Sequence, residues 1–239
     1  MTDWLTRYES GQRDVVWHEL RQLGAAVGDR AEEAQAVCDE MARRARHNVE
    51  LVVERLTGDG YRFHANNDDQ TPVVPHVPPT DRAEEHLAWM RDTFGAVPMT
   101  VRSWVRIVGD VWLVGTHPHW AESASADPLV VEVEGARYGG NHRRYLEEEH
   151  AAWQEEPDGL YELAVAPDRL HKENTSGGAP YGIVLPDGCA DGQISWDGGR
   201  MPFVSYLNRV FADGGFPLHT GTDGEWEVRH RLARDLLPL

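Results

Sequence analysis

No apolar stretch in these 239 residues approaches the roughly 20 needed to cross a bilayer, so no membrane partner is expected. The opening MTDWLTRYES has neither the basic start nor the apolar core of a secretory signal, and the expected location is cytoplasmic. Cysteine is nearly missing. Cys38 falls on the apolar face of a predicted helix and Cys189 in a glycine-rich loop, so both are expected as free thiols. Lysine occurs once, at Lys172, beside 22 arginines, a bias that with abundant Ala and Gly reads as the imprint of a GC-rich bacterial genome. The signatures of nucleophilic and phosphate chemistry are missing too. Neither Ser176 nor Ser195 stands in GxSxG, and Cys189 lies between acids that disfavour a thiolate. NTSGGAPYG lacks the spaced GxxxxGK(S/T) pattern and the lysine near it, Lys172, comes before the glycines rather than after them, so it reads as a turn between strands. No catalytic residue and no cofactor is implied.

What is present is a folded, acidic chain. Hydrophobic residues make up 41% and tryptophan occurs nine times, enough for one core or for one domain with an extension. The net charge is −17 and unevenly spread: residues 1–66 hold twelve acids and nine bases, so most of the excess lies beyond them. Such a field repels nucleic acid and speeds encounter with basic partners, and it also serves solubility alone.

The N-terminal third reads as helical. Asp29 followed by Glu32 resembles a capping box, and Ala34, Val37, Cys38, Met41, Ala45, Val49, Val52, Val53 and Leu56 mark one face until Gly58 and Gly60. A shorter helix with Val16, Leu20 and Leu23 precedes it, and the pair is expected to form an antiparallel hairpin. The basic cluster Arg43, Arg44, Arg46 and His47 is expected to pair with Asp39, Glu40 and Glu50 on a solvated face. ANNDDQTPVVPHVPPT has the composition of a linker. The predicted organisation is therefore 1–66 helical extension, 67–80 Pro-rich linker and 81–239 an α+β domain with a C-terminal tail. The fold class is α+β, an antiparallel sheet with flanking helices, preceded by the helical hairpin.

GAVPMTVRSWVRIVGDVWLVG, residues 95–115, is the densest passage. Val101, Trp104, Val105 and Val108 share a helix face, Pro98 suits its first turn, Gly109 stops it, and an apolar strand follows at once. Upstream, Ala83, Leu87, Met90 and Phe94 form another helix face. Downstream, DPLVVEVE, LYELAVAP and PYGIVLP read as short strands and MPFVSYLNRVFADGG as a closing helix. In this order the passages resemble the SUKH superfamily, the Smi/Knr-like domains of bacterial toxin immunity proteins and a yeast cell-wall regulator, over roughly residues 81–215. The resemblance implies non-catalytic protein binding, with a basic toxin as the partner to be neutralised. The N-terminal hairpin and the insertion at 135–157 lie outside what it explains.

NHRRYLEEEHAAWQEE, within that insertion, has few large apolar residues and is expected as a mostly solvated helix. Its Glu147, Glu148 and Glu149, with Trp120 and Trp153 as aromatic anchors, are the expected partner-binding residues, although acid runs are usually wet faces and tryptophans usually core. The rival reading is a metal-dependent hydrolase. His117 and His119 in GTHPHW would face one side of an extended segment and offer a metal two nitrogens, with Asp127 or Glu132 adding a carboxylate, while Pro118 fits a turn as well as a strand. A third reading is a regulatory scaffold that recruits partners through the long helix, and exposure of Val49, Val52 or Val53 would favour it. The sequence is silent on oligomeric state.

Overall fold

The computed structural model describes residues 3–25 and 28–239. Three helices open the chain: α1 (Trp4–Glu9), α2 (Arg13–Leu23) and α3 (Ala31–Gly58). Asp3 caps α1, accepting a hydrogen bond from the Thr6 backbone N–H at 2.8 Å. The side chain of Asp29, expected to cap α3, lies outside the described residues; Arg30 occupies the cap position. The short α1 ties its two neighbours together. Its Trp4 indole and Arg7 guanidinium both donate to Glu19 of α2, and the Trp4 backbone N–H donates to Glu33 of α3. Tyr8 meets Trp17 of α2 edge-on at 6.1 Å.

The apolar stripe of α3 is buried from Ala34 to Leu56, so the long helix is a central support of the molecule. Val49 and Val52 have no exposed surface and Val53 packs against the same cluster, so the exposure that would favour the scaffold reading is not found here. On the outer face Arg43 and Arg44 pair with Glu40, and Arg46 with Glu50. Asp39 turns inward instead and accepts from Ser103 at 2.6 Å.

After α3 come β1 (Arg62–Phe63) and β2 (His76–Val77), then α4 (Ala83–Phe94) and α5 (Met99–Ser103), which runs on as a single π turn to Val108. Gly109 ends that turn at φ +90°, and a Cβ there would lie 2.2 Å from the Val77 carbonyl, so only glycine allows β2 so close. Next are β3 (Asp110–Trp112), β4 (Gly115–Thr116) and β5 (Val130–Val131). β2, β3 and β5 form a three-stranded antiparallel sheet, and β1 pairs with β4. Two residues of the Pro-rich segment 67–80, His76 and Val77, thus belong to a sheet. His76 also contacts the Val108 carbonyl at 2.7 Å, and the apolar cluster runs without interruption from α1–α3 to the strands beyond residue 80.

The chain closes with α6 (Asn141–Glu155), β6 (Tyr161–Ala166), α7 (Arg169–Lys172), β7 (Tyr181–Leu185), β8 (Gln193–Trp196), β9 (Gly199–Pro202), α8 (Phe203–Ala212) and α9 (Glu225–Ala233). β6 to β9 form a four-stranded antiparallel sheet in sequence order. The architecture is therefore α+β with antiparallel sheets, preceded by helices. The tail docks through two asparagines that imitate strand partners: Asn48 bonds both N–H and C=O of Leu237 at 2.8 Å, and Asn208 bonds those of Leu239. Among the described residues no helix is long and apolar enough to cross a membrane. Cys38 is buried and Cys189 half-buried, and both are free.

Candidate functional site

A cleft of roughly 460 Å³ opens between the start of α6 and the end of β6 with α7. Its size is within the range of ligand sites. Two walls build it, each fixed by a buried carboxylate.

The first wall begins at Asp110, at the start of β3. Its carboxylate accepts the backbone N–H groups of Glu134 and Ala136, at 3.1 and 2.7 Å, and so draws the loop after β5 inward. Burial pushes the Asp110 carboxyl up to about 6, against the pull of those two N–H groups. At the middle of this loop Gly135 takes φ +64°, and the His142 ring occupies the place of the missing Cβ. His142 stacks on Tyr138 at 5.6 Å, and burial lowers its pKa. Glu132 lies beneath them, its backbone N–H donating to the Val165 carbonyl at 2.8 Å. Its carboxylate is held by the Arg137 guanidinium at 2.6 Å and the Tyr138 hydroxyl at 2.9 Å. Arg137 in turn lies over the Trp112 ring, its guanidinium carbon 3.8 Å from the ring centre. Burial raises Glu132 to about 7, with Arg137 opposing.

The second wall starts where β6 loses register with β7 between Ala164 and Ala166, and Pro167 then directs the chain into α7. Asp168 caps that helix. It accepts the N–H groups of Leu170 and His171, at 2.8 and 3.3 Å, and the Nδ1 of the His171 ring. Burial alone would raise this carboxyl, but the hydrogen bonds outweigh it and hold it below the ordinary aspartate value. Gly177 makes room: a Cβ there would meet the Asp168 carboxylate at 2.3 Å. Asn66 donates to the His171 carbonyl at 2.9 Å. Beneath α7 lies the chain's one lysine. Lys172 is fully buried, with its ammonium 2.5 Å from Asp127, whose other oxygen accepts from Tyr181 at 3.1 Å.

The residues expected from the sequence divide among different places. Glu147, Glu148, Glu149 and Trp153 come together on α6, of which only Leu146 is buried. Glu147 accepts from the Trp89 indole at 2.7 Å, Glu148 pairs loosely with Arg144 at 3.6 Å, and Glu149 is exposed. Trp153 is half-buried, stacked on His150. Trp120 is in the core, 1% exposed, against Phe216 with its indole on Thr220 at 3.0 Å, so it offers no surface to a partner.

His117 and His119 flank a tight turn rather than lie on a strand. His117 is buried, its Nδ1 accepts the His119 backbone N–H at 3.1 Å, and its Nε2 stands 3.6 Å from Asp59. Asp127 and Glu132, the carboxylates considered with them, are engaged by Lys172 and Arg137. Among the described residues no group of three or more His, Cys, Asp or Glu side chains is arranged to hold a metal.

Sequence reasoning missed Asp168, His171, Tyr138 and Tyr145 as neighbours. One signal was legible: Asp168 and His171 stand three apart just after a strand-like run, where a capping aspartate belongs. No family model matches the chain, and no curated protein or solved structure matches it.

Proposed function

We propose that this chain is a non-catalytic protein-binding domain, and that α6 with the adjoining cleft is the face that meets a basic partner. The observation that carries the reading is the make-up of α6. It is a fifteen-residue helix with a single buried side chain, and beside its acids stand Tyr138 and Tyr145, each more than two-fifths exposed, with Leu160 close after its C-terminal end. A helix that buries so little contributes little to the core, while half-exposed tyrosines near exposed carboxylates suit an interface in which aromatic anchors bury area and charge steers encounter. The net charge of −17 extends that steering over the molecule. With the resemblance to SUKH immunity proteins, the partner in view is a toxin that the chain neutralises by covering it, in the cytoplasm of the bacterium that makes it.

The test is affinity capture from native lysate with the wild-type chain and with a Glu147→Gln, Glu148→Gln, Glu149→Gln variant, at low and high salt. Recovery of one basic protein by the wild type at low salt, lost at high salt and in the variant, is the expected result. Equal recovery by both chains would remove α6 from the binding face.

A further inference from the structure

The charges inside the cleft are already spent. Glu132 ends on Arg137 and Tyr138, and Asp168 ends on His171 and two backbone N–H groups. An occupant therefore need bring no counter-charge, and a cation would find no free carboxylate on the floor. Much of the rest of the lining is apolar or aromatic, with Ala164, Ala166, Pro167 and Pro180 on one side and Tyr138 and Tyr145 on the other. Asn66, Asn141 and His142 add polar side chains, and the two amides carry no net charge. Two histidine nitrogens are left over: His142 Nε2 is buried with no hydrogen-bond partner among the described residues, and His171 supplies the second. His171 lines the cleft with its Nδ1 committed to Asp168, and its Nε2 has no partner among the described residues. With Nδ1 donating to a carboxylate, the neutral ring presents Nε2 as a hydrogen-bond acceptor.

We infer that the cleft seats an uncharged planar aromatic group carrying one hydrogen-bond donor, an indole or phenol, supplied by a Trp or Tyr side chain of the protein partner, with His171 Nε2 accepting its N–H or O–H. The inference rests on the partner-binding reading above and names its anchor: carboxylates on α6 attract the partner, and the neutral cleft holds it. Aromatic side chains with a polar tip dominate such pockets because they bury a large area for few rotatable bonds. The cleft is open-sided and its tyrosines are only partly covered, which suits a group delivered on a larger surface.

The experiment is a heteronuclear NMR titration of the full chain, above the ordinary histidine pKa, with N-acetyl-tryptophanamide, N-acetyl-tyrosinamide, N-acetyl-phenylalaninamide, N-acetyl-argininamide and free indole. Saturable shifts at Tyr138, His142, Tyr145 and His171 are expected from the Trp and Tyr amides. The Phe amide, which lacks the side-chain donor, should bind about tenfold more weakly, the equivalent of one hydrogen bond. His171→Ala should remove that discrimination while leaving the fold intact, since the ring is nearly half exposed. Absence of saturable shifts at these residues, preference for the Arg amide, or equal binding of the Phe amide overturns the inference. Tight binding of indole with none of the amides overturns the partner as its source. Should the acid-to-Gln variant lose the basic partner while Tyr145→Ala retains it, the binding reading stands and the anchor falls.

Discussion

The α3 spine and the α6 cleft are built on opposite terms. Along α3 ten side chains are buried, the basic cluster of its outer face is matched by acids on the same helix, and the C-terminal tail is sewn to it by Asn48. Along α6 one side chain is buried, and the neighbouring cleft is shaped by buried carboxylates and by glycines that make room for side chains. Apolar area stabilises the first region; hydrogen-bonded charge shapes the second. The lesson is that loss of stability and loss of binding should separate by region in this molecule.

The sharpest way to break the contrast is at Lys172, where the cleft rests on the core. Lys172→Met leaves Asp127 buried without its cation and should cost on the order of 3–5 kcal/mol, read as a fall in the urea midpoint. A smaller loss would mean that water reaches the pair. Leu146→Ala comes next, because that side chain is the sole buried residue of α6. It should cost about 2–5 kcal/mol locally, seen as fast hydrogen exchange in α6 amides while α3 amides stay protected. Uniform loss of protection would show that α6 and α3 form one cooperative unit. Asn48→Ala should destabilise by about 1–3 kcal/mol through the Leu237 backbone groups it leaves unpaired, and should expose the tail to proteolysis.

A fourth prediction concerns pH. Glu132 has a folded-state pKa raised to about 7, so its contribution to stability is complete below the unfolded glutamate value and is lost as pH rises through the folded one. Gln has no such titration. The stability difference between Glu132→Gln and wild type should therefore move in favour of the variant from about pH 5 to about pH 8, by no more than ~1.4 kcal/mol per pH unit. A flat difference would mean that Arg137 keeps Glu132 ionised throughout. The smallest stability effect belongs to the Glu147, Glu148, Glu149 triple variant, whose melting should change by less than about 0.5 kcal/mol.

Legibility in the sequence followed the same division. The α3 stripe and the passage from Pro98 through Gly109 to Trp112 were readable because the signal is local: a period, a cap, a glycine stop. β2 was not, because two residues among prolines pair with a strand more than thirty positions later and only that pairing makes them a strand. Trp120 looks the same in sequence whether it is core or surface. The HxH spacing assumes extended backbone, and around Pro118 the chain turns, so that His117 bridges to Trp120 instead. The cleft draws on Asn66, residues 132–145 and residues 164–180, and nothing in any one of those segments announces the others.

The most direct test is to measure, for one captured partner, its affinity for the wild-type chain, the Glu147, Glu148, Glu149→Gln variant, Tyr145→Ala and Asn48→Ala, with the melting of each chain recorded alongside. The first two variants should lose affinity with melting unchanged, and Asn48→Ala should lose melting with affinity unchanged below its transition. Affinity that falls only where melting falls would contradict the separation of a folding spine from a binding cleft.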